Sequence, residues 1–298
     1  MIKQLVVGID GSDYGLTALE YALYLAGKSG GEIKVVFAVD SRKTDLPIIY
    51  ATGHFDYAFA RTYIPPDSEL KTFYQKLKKD IATFAASCLD ACRSRCESEK
   101  IPFVAVQREG LPSVILAEES RSGDILIIGQ KGENARFDRT IVGSTTEDVV
   151  RSSPRPVLVC PRDFREPRRL LFPYDCSQQA ERALLFSVNA LGEFWQEFVI
   201  LLAEMPSADD AAAGSAVEAS RCRLIEKEER YLKKHGITPR VVYAGGTLVE
   251  TVLAVAQQES SDLILVGSHG KHKIKDYILG STTSHLIRKS QLPVLVVY

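Results

Sequence analysis

Residues Gly123–Cys160 read GDILIIGQKGENARFDRTIVGSTTEDVVRSSPRPVLVC, and residues Ser261–Val297 read SDLILVGSHGKHKIKDYILGSTTSHLIRKSQLPVLVV. The two stretches match feature by feature. Each has an Asp ahead of an apolar strand, a glycine turn, the run Gly-Ser-Thr-Thr, a helix with late basic residues, and Pro-Val-Leu-Val. The interval between Gly-Ser-Thr-Thr and the last strand is equal in both. A repeat of this kind makes the whole chain two copies of one supersecondary unit.

Working outward, the starts of the two halves match as well. Gln4–Leu19 reads QLVVGIDGSDYGLTAL and Arg169–Leu184 reads RLLFPYDCSQQAERAL. Each is an apolar strand ending at an Asp, followed by a Ser and a helix. Ser12 and Ser177 are expected N-caps, because a short oxygen side chain satisfies the first free backbone N–H groups. Each half then reads β-α-β-α-β-α-β-α-β. Strands are expected near 4–9, 33–39, 102–107, 124–128 and 156–160, and near 169–174, 197–203, 239–243, 262–266 and 293–297. Several are unbroken Val/Ile/Leu runs, the mark of strands buried on both faces by helices. Alternating strands and helices imply right-handed crossovers and an open, doubly wound α/β sheet. The boundary is Pro161–Pro167, PRDFREP, read as a polar, solvated linker between domains 1–161 and 168–298.

The 298 residues suffice for two cores of ordinary domain size. The formal net charge of −1 offers no field to attract nucleic acid or an acidic membrane surface. The apolar runs are strand-length, so no membrane span is expected. The N-terminal MIKQLVVGID is interrupted by an acid too early for a signal-peptide core, and the chain reads as cytoplasmic. In that setting the six cysteines are expected to be thiols. Cys88, Cys92 and Cys96 recur every fourth residue along one side of a helix, with no CxxC pair, and read as small packing residues.

The halves differ after their second strands. The first inserts SRKTDLPIIYATGHFDYAFARTYIPPDSEL from Ser41 to Leu70; the second has MPSADDAAAGSAVEAS. The Tyr-rich insertion follows a strand's C-terminal end, the edge where open α/β sheets take ligands. It fits a lid or partner surface, or an ordered excursion packed on its own aromatics.

The glycine turns carry the chemistry. In the second half, Gly267-Ser-His269-Gly270 is followed by nine residues and then Gly280-Ser281-Thr282. A glycine at a strand end lets a ligand approach the backbone closely. Gly280-Ser281 opens a helix, whose free N–H groups and positive dipole end suit phosphate. Asp175, at the tip of the half's first strand, belongs to the same edge; its carboxylate suits a ribose hydroxyl, an adenine amino group, or a metal beside phosphates.

This spacing, with its strand before and Pro-Val-Leu-Val after, resembles the universal stress protein family, whose motif is G-x2-G-x9-G-[ST]. The resemblance spans both halves. It implies flavodoxin-like or Rossmann-like sheets of five parallel strands in order 3-2-1-4-5, ATP binding where the glycines are kept, pairing through the last strand, and a role in stress survival. By position, Asp175 and Ala203 would face the adenosine, with Gly267, His269, Gly270, Gly280, Ser281 and Thr282 at the phosphates. In the first half, Asp10 and Val39 would face the adenosine, with Gly129, Gly132, Gly143, Ser144 and Thr145 at the phosphates. There ten residues, not nine, separate Gly132 from Gly143. That segment carries two acids, whereas the second half's carries three lysines, so the second site is the firmer expectation.

Other motifs are absent. There is no G-x-G-x-x-G after the first strand and no P-loop. His269, His272 and His285 fit no zinc spacing, and no general base stands out near the turns. The expected function is binding of an adenine nucleotide, ATP with Mg²⁺, in a stress-response regulator. An adenine-nucleotide hydrolase or nucleotidyltransferase is the alternative enzyme class, disfavoured by DGSDYG and DCSQQA where such enzymes carry SGGxDS or HIGH-type loops. A nucleotide-free structural adaptor is a third class. The apolar last strands, PVLVC and PVLVVY, are expected to pair within the chain as a pseudo-dimer of the halves, to which a homodimer would be additional.

Overall fold

The computed structural model describes residues 1–44, 67–132, 144–203, 226–268 and 280–298. In the first half, β1 (Gln4–Ile9), α1 (Asp13–Ser29), β2 (Glu32–Asp40) and a short α2 (Ser41–Thr44) are followed by the long α3 (Asp67–Ser98). Then come β3 (Phe103–Gly110), α4 (Pro112–Ser120), β4 (Ile125–Gly129), α5 (Ser144–Ser152) and β5 (Val157–Cys160). The second half runs β6 (Arg169–Pro173), α6 (Gln178–Leu191), β7 (Glu197–Ala203), α7 over 226–234, and β8 (Pro239–Ala244). It ends with α8 (Leu248–Gln258), β9 (Leu263–Gly267), α9 (Ser281–Lys289) and β10 (Val294–Val297). All ten strand expectations hold to within a few residues. The ends of the expected 41–70 insertion are helical, in α2 and α3, and its middle lies outside the described residues, as does the second half's 205–220.

The strands form a single sheet in the order β3-β2-β1-β4-β5-β10-β9-β6-β7-β8. Numbered within its own half, each set of five reads 3-2-1-4-5, and all pairings inside a half are parallel. At the centre the two last strands meet antiparallel, with Val294 opposite Val159, Leu295 opposite Leu158 and Val296 opposite Val157.

Alternation along the strands feeds two continuous cores. Leu5, Val7 and Ile9 of β1, with Leu170 and Phe172 of β6, face α1, α3, α6 and α7. Val6 and Leu171 face α4, α5, α8 and α9 through Ile115, Val149, Val252 and Leu286. The Asp that precedes each fourth strand also has a structural task. Asp124 accepts from the backbone N–H groups of Lys3 (2.7 Å) and Gln4 (3.1 Å). Asp262 accepts from those of Arg168 (3.3 Å) and Arg169 (3.0 Å). Both tie the entrance of a fourth strand to that of the first.

Two readings of the sequence are sharpened. Cys92, Cys96 and Cys160 are buried in the core, and burial pushes the Cys92 thiol up to about 12 and that of Cys96 up to about 11. Such thiols are packing groups, since the reactive form is the thiolate. The linker, expected to be solvated, is docked along α1. Arg162 pairs with Asp13 (2.7 Å) while its carbonyl accepts from Thr17, and the Arg165 N–H donates to the Tyr21 hydroxyl (3.2 Å). The Phe164 ring packs 4.7 Å from that of Tyr21. The charged linker side chains do face solvent; the backbone between them does not hang free, because its polar groups find partners on α1.

Candidate functional site

Asp10 follows β1 directly, and its Oδ1 accepts from the N–H (3.0 Å) and hydroxyl (2.6 Å) of Ser12. Ser12 in turn caps α1 through the Gly15 N–H (3.2 Å). Asp175 repeats this after β6, with Ser177 N–H at 2.9 Å, and Ser177 caps α6 through the Ala180 N–H (3.1 Å). The turn between acid and cap needs a left-handed residue. The first half supplies Gly11 (φ +80°) and the second Cys176 (φ +61°), where a non-glycine residue costs about 1–2 kcal/mol. The aligned pair DGS and DCS was the signal for this strained cysteine.

The fourth strands deliver the glycines to the same edge. A Cβ built on Gly129 would lie 2.7 Å from the Cβ of Tyr14, and one on Gly267 would lie 3.2 Å from Gln179. Each glycine therefore lets the strand end abut the start of the half's first helix. A Cβ on Gly132 would sit 2.7 Å from Oδ2 of Asp10, so the first half's glycine turn and its carboxylate share one pocket edge. Phe84 of α3, half exposed, packs against the turn after β1, its Cζ 2.5 Å from where a Cβ on Gly11 would stand.

The helix starts are fastened by residues that the reading of the sequence passed over. The Thr146 hydroxyl donates to the carbonyl of Gly129 (3.0 Å), and the Thr283 hydroxyl to that of Gly267 (3.1 Å). Their signal was the second Thr of Gly-Ser-Thr-Thr, repeated in both halves. In the second half the Gly280 N–H adds a bond to the Ser268 carbonyl (3.1 Å). Unlike α1 and α6, α9 begins on Gly280 without a side-chain cap, so its first N–H groups open to the edge without a capping oxygen.

The expected site residues are thus distributed as follows. Gly280, Ser281 and Thr282 open α9, Ser144 and Thr145 open α5, and Gly129 and Gly267 close β4 and β9. Val39 is buried near the end of β2, and Ala203 closes β7. Gly143, His269 and Gly270 lie outside the described residues. Among the described residues no group of three or more His, Cys, Asp or Glu side chains is arranged to hold a metal ion, and no helix is long and apolar enough to cross a membrane.

Fold and edge together define a tandem α/β chain in which each half latches a helix start onto a strand end beside a carboxylate. The universal stress protein family model matches the chain twice, over residues 1–161 and 166–298, and the chain belongs to that family. It is 27% identical over 301 residues to the universal stress protein Slr1230 of Synechocystis sp., covering 99% of each chain. Against MJ0577 of Methanocaldococcus jannaschii, also a universal stress protein, it is 31% identical over 153 residues, covering 44% of this chain and 94% of that one. Among solved structures, a universal stress protein from Archaeoglobus fulgidus shares the fold (TM-score 0.63, 23% identity, 98% of this chain and 95% of that one).

Proposed function

We propose that this chain binds adenine nucleotide, ATP with Mg²⁺, and that the bound nucleotide sets its conformation or choice of partner in a cytoplasmic stress response. The observation that carries this is the latch of Thr283 onto Gly267, repeated by Thr146 on Gly129. In the second half it holds an uncapped helix start against a glycine strand end, with a carboxylate on the same edge. Helix-start N–H groups and close-approach glycines supply what a polyphosphate needs. Asp175 and Ala203 would face the adenosine of the second site, with Gly267, His269, Gly270, Gly280, Ser281 and Thr282 around its phosphates. Asp10, Val39, Gly129, Gly132, Gly143, Ser144 and Thr145 would serve the first.

The activity proposed is binding, with turnover at most a weak ATPase. The units proposed are 1–161 and 168–298, acting as an intramolecular pseudo-dimer through β5 and β10. The test is to denature the purified protein and analyse the released small molecules, then to titrate the protein with ATP·Mg²⁺. Adenine nucleotide at about one per site supports the reading; no release and no binding of added ATP rejects it. Gly280→Val should abolish binding in the second half, because its branched side chain would fill the space reserved for phosphate. Undiminished binding there would show that the phosphates lie elsewhere.

A further inference from the structure

Gln130 belongs to the first half's glycine turn, between Gly129 and Gly132, yet its side chain serves the second half. It is buried, and its amide nitrogen donates to the carbonyl of Ile287 and to that of Ser290 (3.0 Å), 157 and 160 residues away in sequence. Both acceptors lie at the C-terminal end of α9. The last carbonyls of a helix have no intrahelical partner, so the first half caps a helix of the second. This is the helix whose opposite end is Gly280-Ser281-Thr282. One end of α9 faces the proposed second phosphate site, and the other is held by a residue of the first site's turn.

A parallel link runs beside it. Glu147, in the first turn of α5, pairs with Arg288 in the last turn of α9 (Nη2–Oε2 2.9 Å) and accepts from the Ser284 hydroxyl (3.3 Å). The pseudo-symmetry breaks at these positions. Ser268 stands where the first half has Gln130, and its backbone N–H repeats the same strand contact, to Val297 (2.8 Å) as Gln130 does to Cys160 (2.7 Å). The carbonyl of Val150 in α5, the counterpart of Ile287, accepts instead from the Tyr298 hydroxyl, outside any glycine turn.

We propose that Gln130 is a positioning residue that couples the two nucleotide sites, so that occupation of the first glycine turn alters the affinity of the second through α9. The inference rests on the ATP-binding reading above. Closing the turn at residues 129–132 around phosphate shifts the Gln130 backbone. Both amide hydrogens of its side chain are committed to α9, a short rigid rod that transmits the shift to its own N-terminus. A coupling of this kind is reciprocal, and its typical size is about 5-fold or more in affinity.

The test is a double-mutant cycle on the full chain, read by calorimetric titration with ATP·Mg²⁺. Gly132→Val closes the first site by driving a side chain onto Asp10. In the otherwise unaltered chain it should change the second site's affinity by about 5-fold or more. In a Gln130→Met background the same change should be under about 2-fold. Gln130→Ser, which copies the second half's own residue, should behave as Gln130→Met does and guards against a packing defect in the longer variant; thermal melts identify the folded chains. Affinity changes that persist undiminished in both Gln130 variants, or that are missing from the original chain, overturn the coupling while leaving ATP binding intact. Failure of the original chain to bind ATP at all overturns the binding reading, and the coupling with it.

Discussion

At the level of single residues, the repeated Thr of Gly-Ser-Thr-Thr separates two tasks that the motif merges. Ser281 is exposed and Thr282 half-buried, whereas Thr283 is 5% exposed and spends its hydroxyl on the Gly267 carbonyl. Thr283→Val keeps the shape and removes the donor, which should destabilise the chain by about 1 kcal/mol by leaving a half-buried carbonyl unpaired. If Thr283 sets the spacing of the phosphate cradle, the variant should lose affinity for ATP about 10-fold while its affinity for adenosine is unchanged. Titrations with the two ligands check this; equal losses would mean a general loosening. Spacing in the sequence made the glycines and hydroxyls legible as a candidate site. It did not reveal which hydroxyl points inward, because that depends on where the helix meets the strand.

At the level of elements, α5 and α9 are joined across the two halves by Glu147 and Arg288. The Arg288 guanidinium, hydrogen-bonded to Glu147, holds that carboxyl below the usual glutamate range. A depressed folded-state value means a contribution to stability that is present above the unfolded value, near pH 4.3, and is lost as pH falls through the folded one. Arg288 is half exposed, so screening by solvent keeps the contribution small. Arg288→Met should therefore lower stability slightly at pH 7 and have little effect at an acid pH where the folded Glu147 carboxyl is protonated. Denaturant midpoints at the two pH values measure it, and an equal loss at both would assign the effect to packing. Helix existence and strand limits were readable from apolar runs and caps, since those signals are local. The pairing of two helices through residues 141 apart in sequence was not, because nothing in either helix names its partner.

For the whole molecule, the seam between β5 and β10 turns two sheets into one. Leu295 and Leu158 face each other across it, 1% and 2% exposed, and both cores draw on both halves. With the linker also docked on α1, thermal unfolding should be a single cooperative transition. Leu295→Ala should cost about 2–5 kcal/mol through the cavity it opens, and the cost should appear in that shared transition. Calorimetry showing two separate transitions, with only one shifted by the substitution, would mean that the halves fold independently.

The sequence by itself determined the repeat, the α/β class, the ten strands and the glycines Gly129 and Gly267 that close two of them. Each of these follows from local periodicity, caps and spacing read twice in one chain. Only the tertiary structure decided what the repeated residues do once the halves meet: that Gln130 caps the other half's helix, that the linker lies along α1, and that Thr146 and Thr283 fasten the glycine turns. The physical reason is that these bonds join groups far apart along the chain. Their partners are set by how two twisted sheets abut at one antiparallel seam, and no local pattern encodes that geometry.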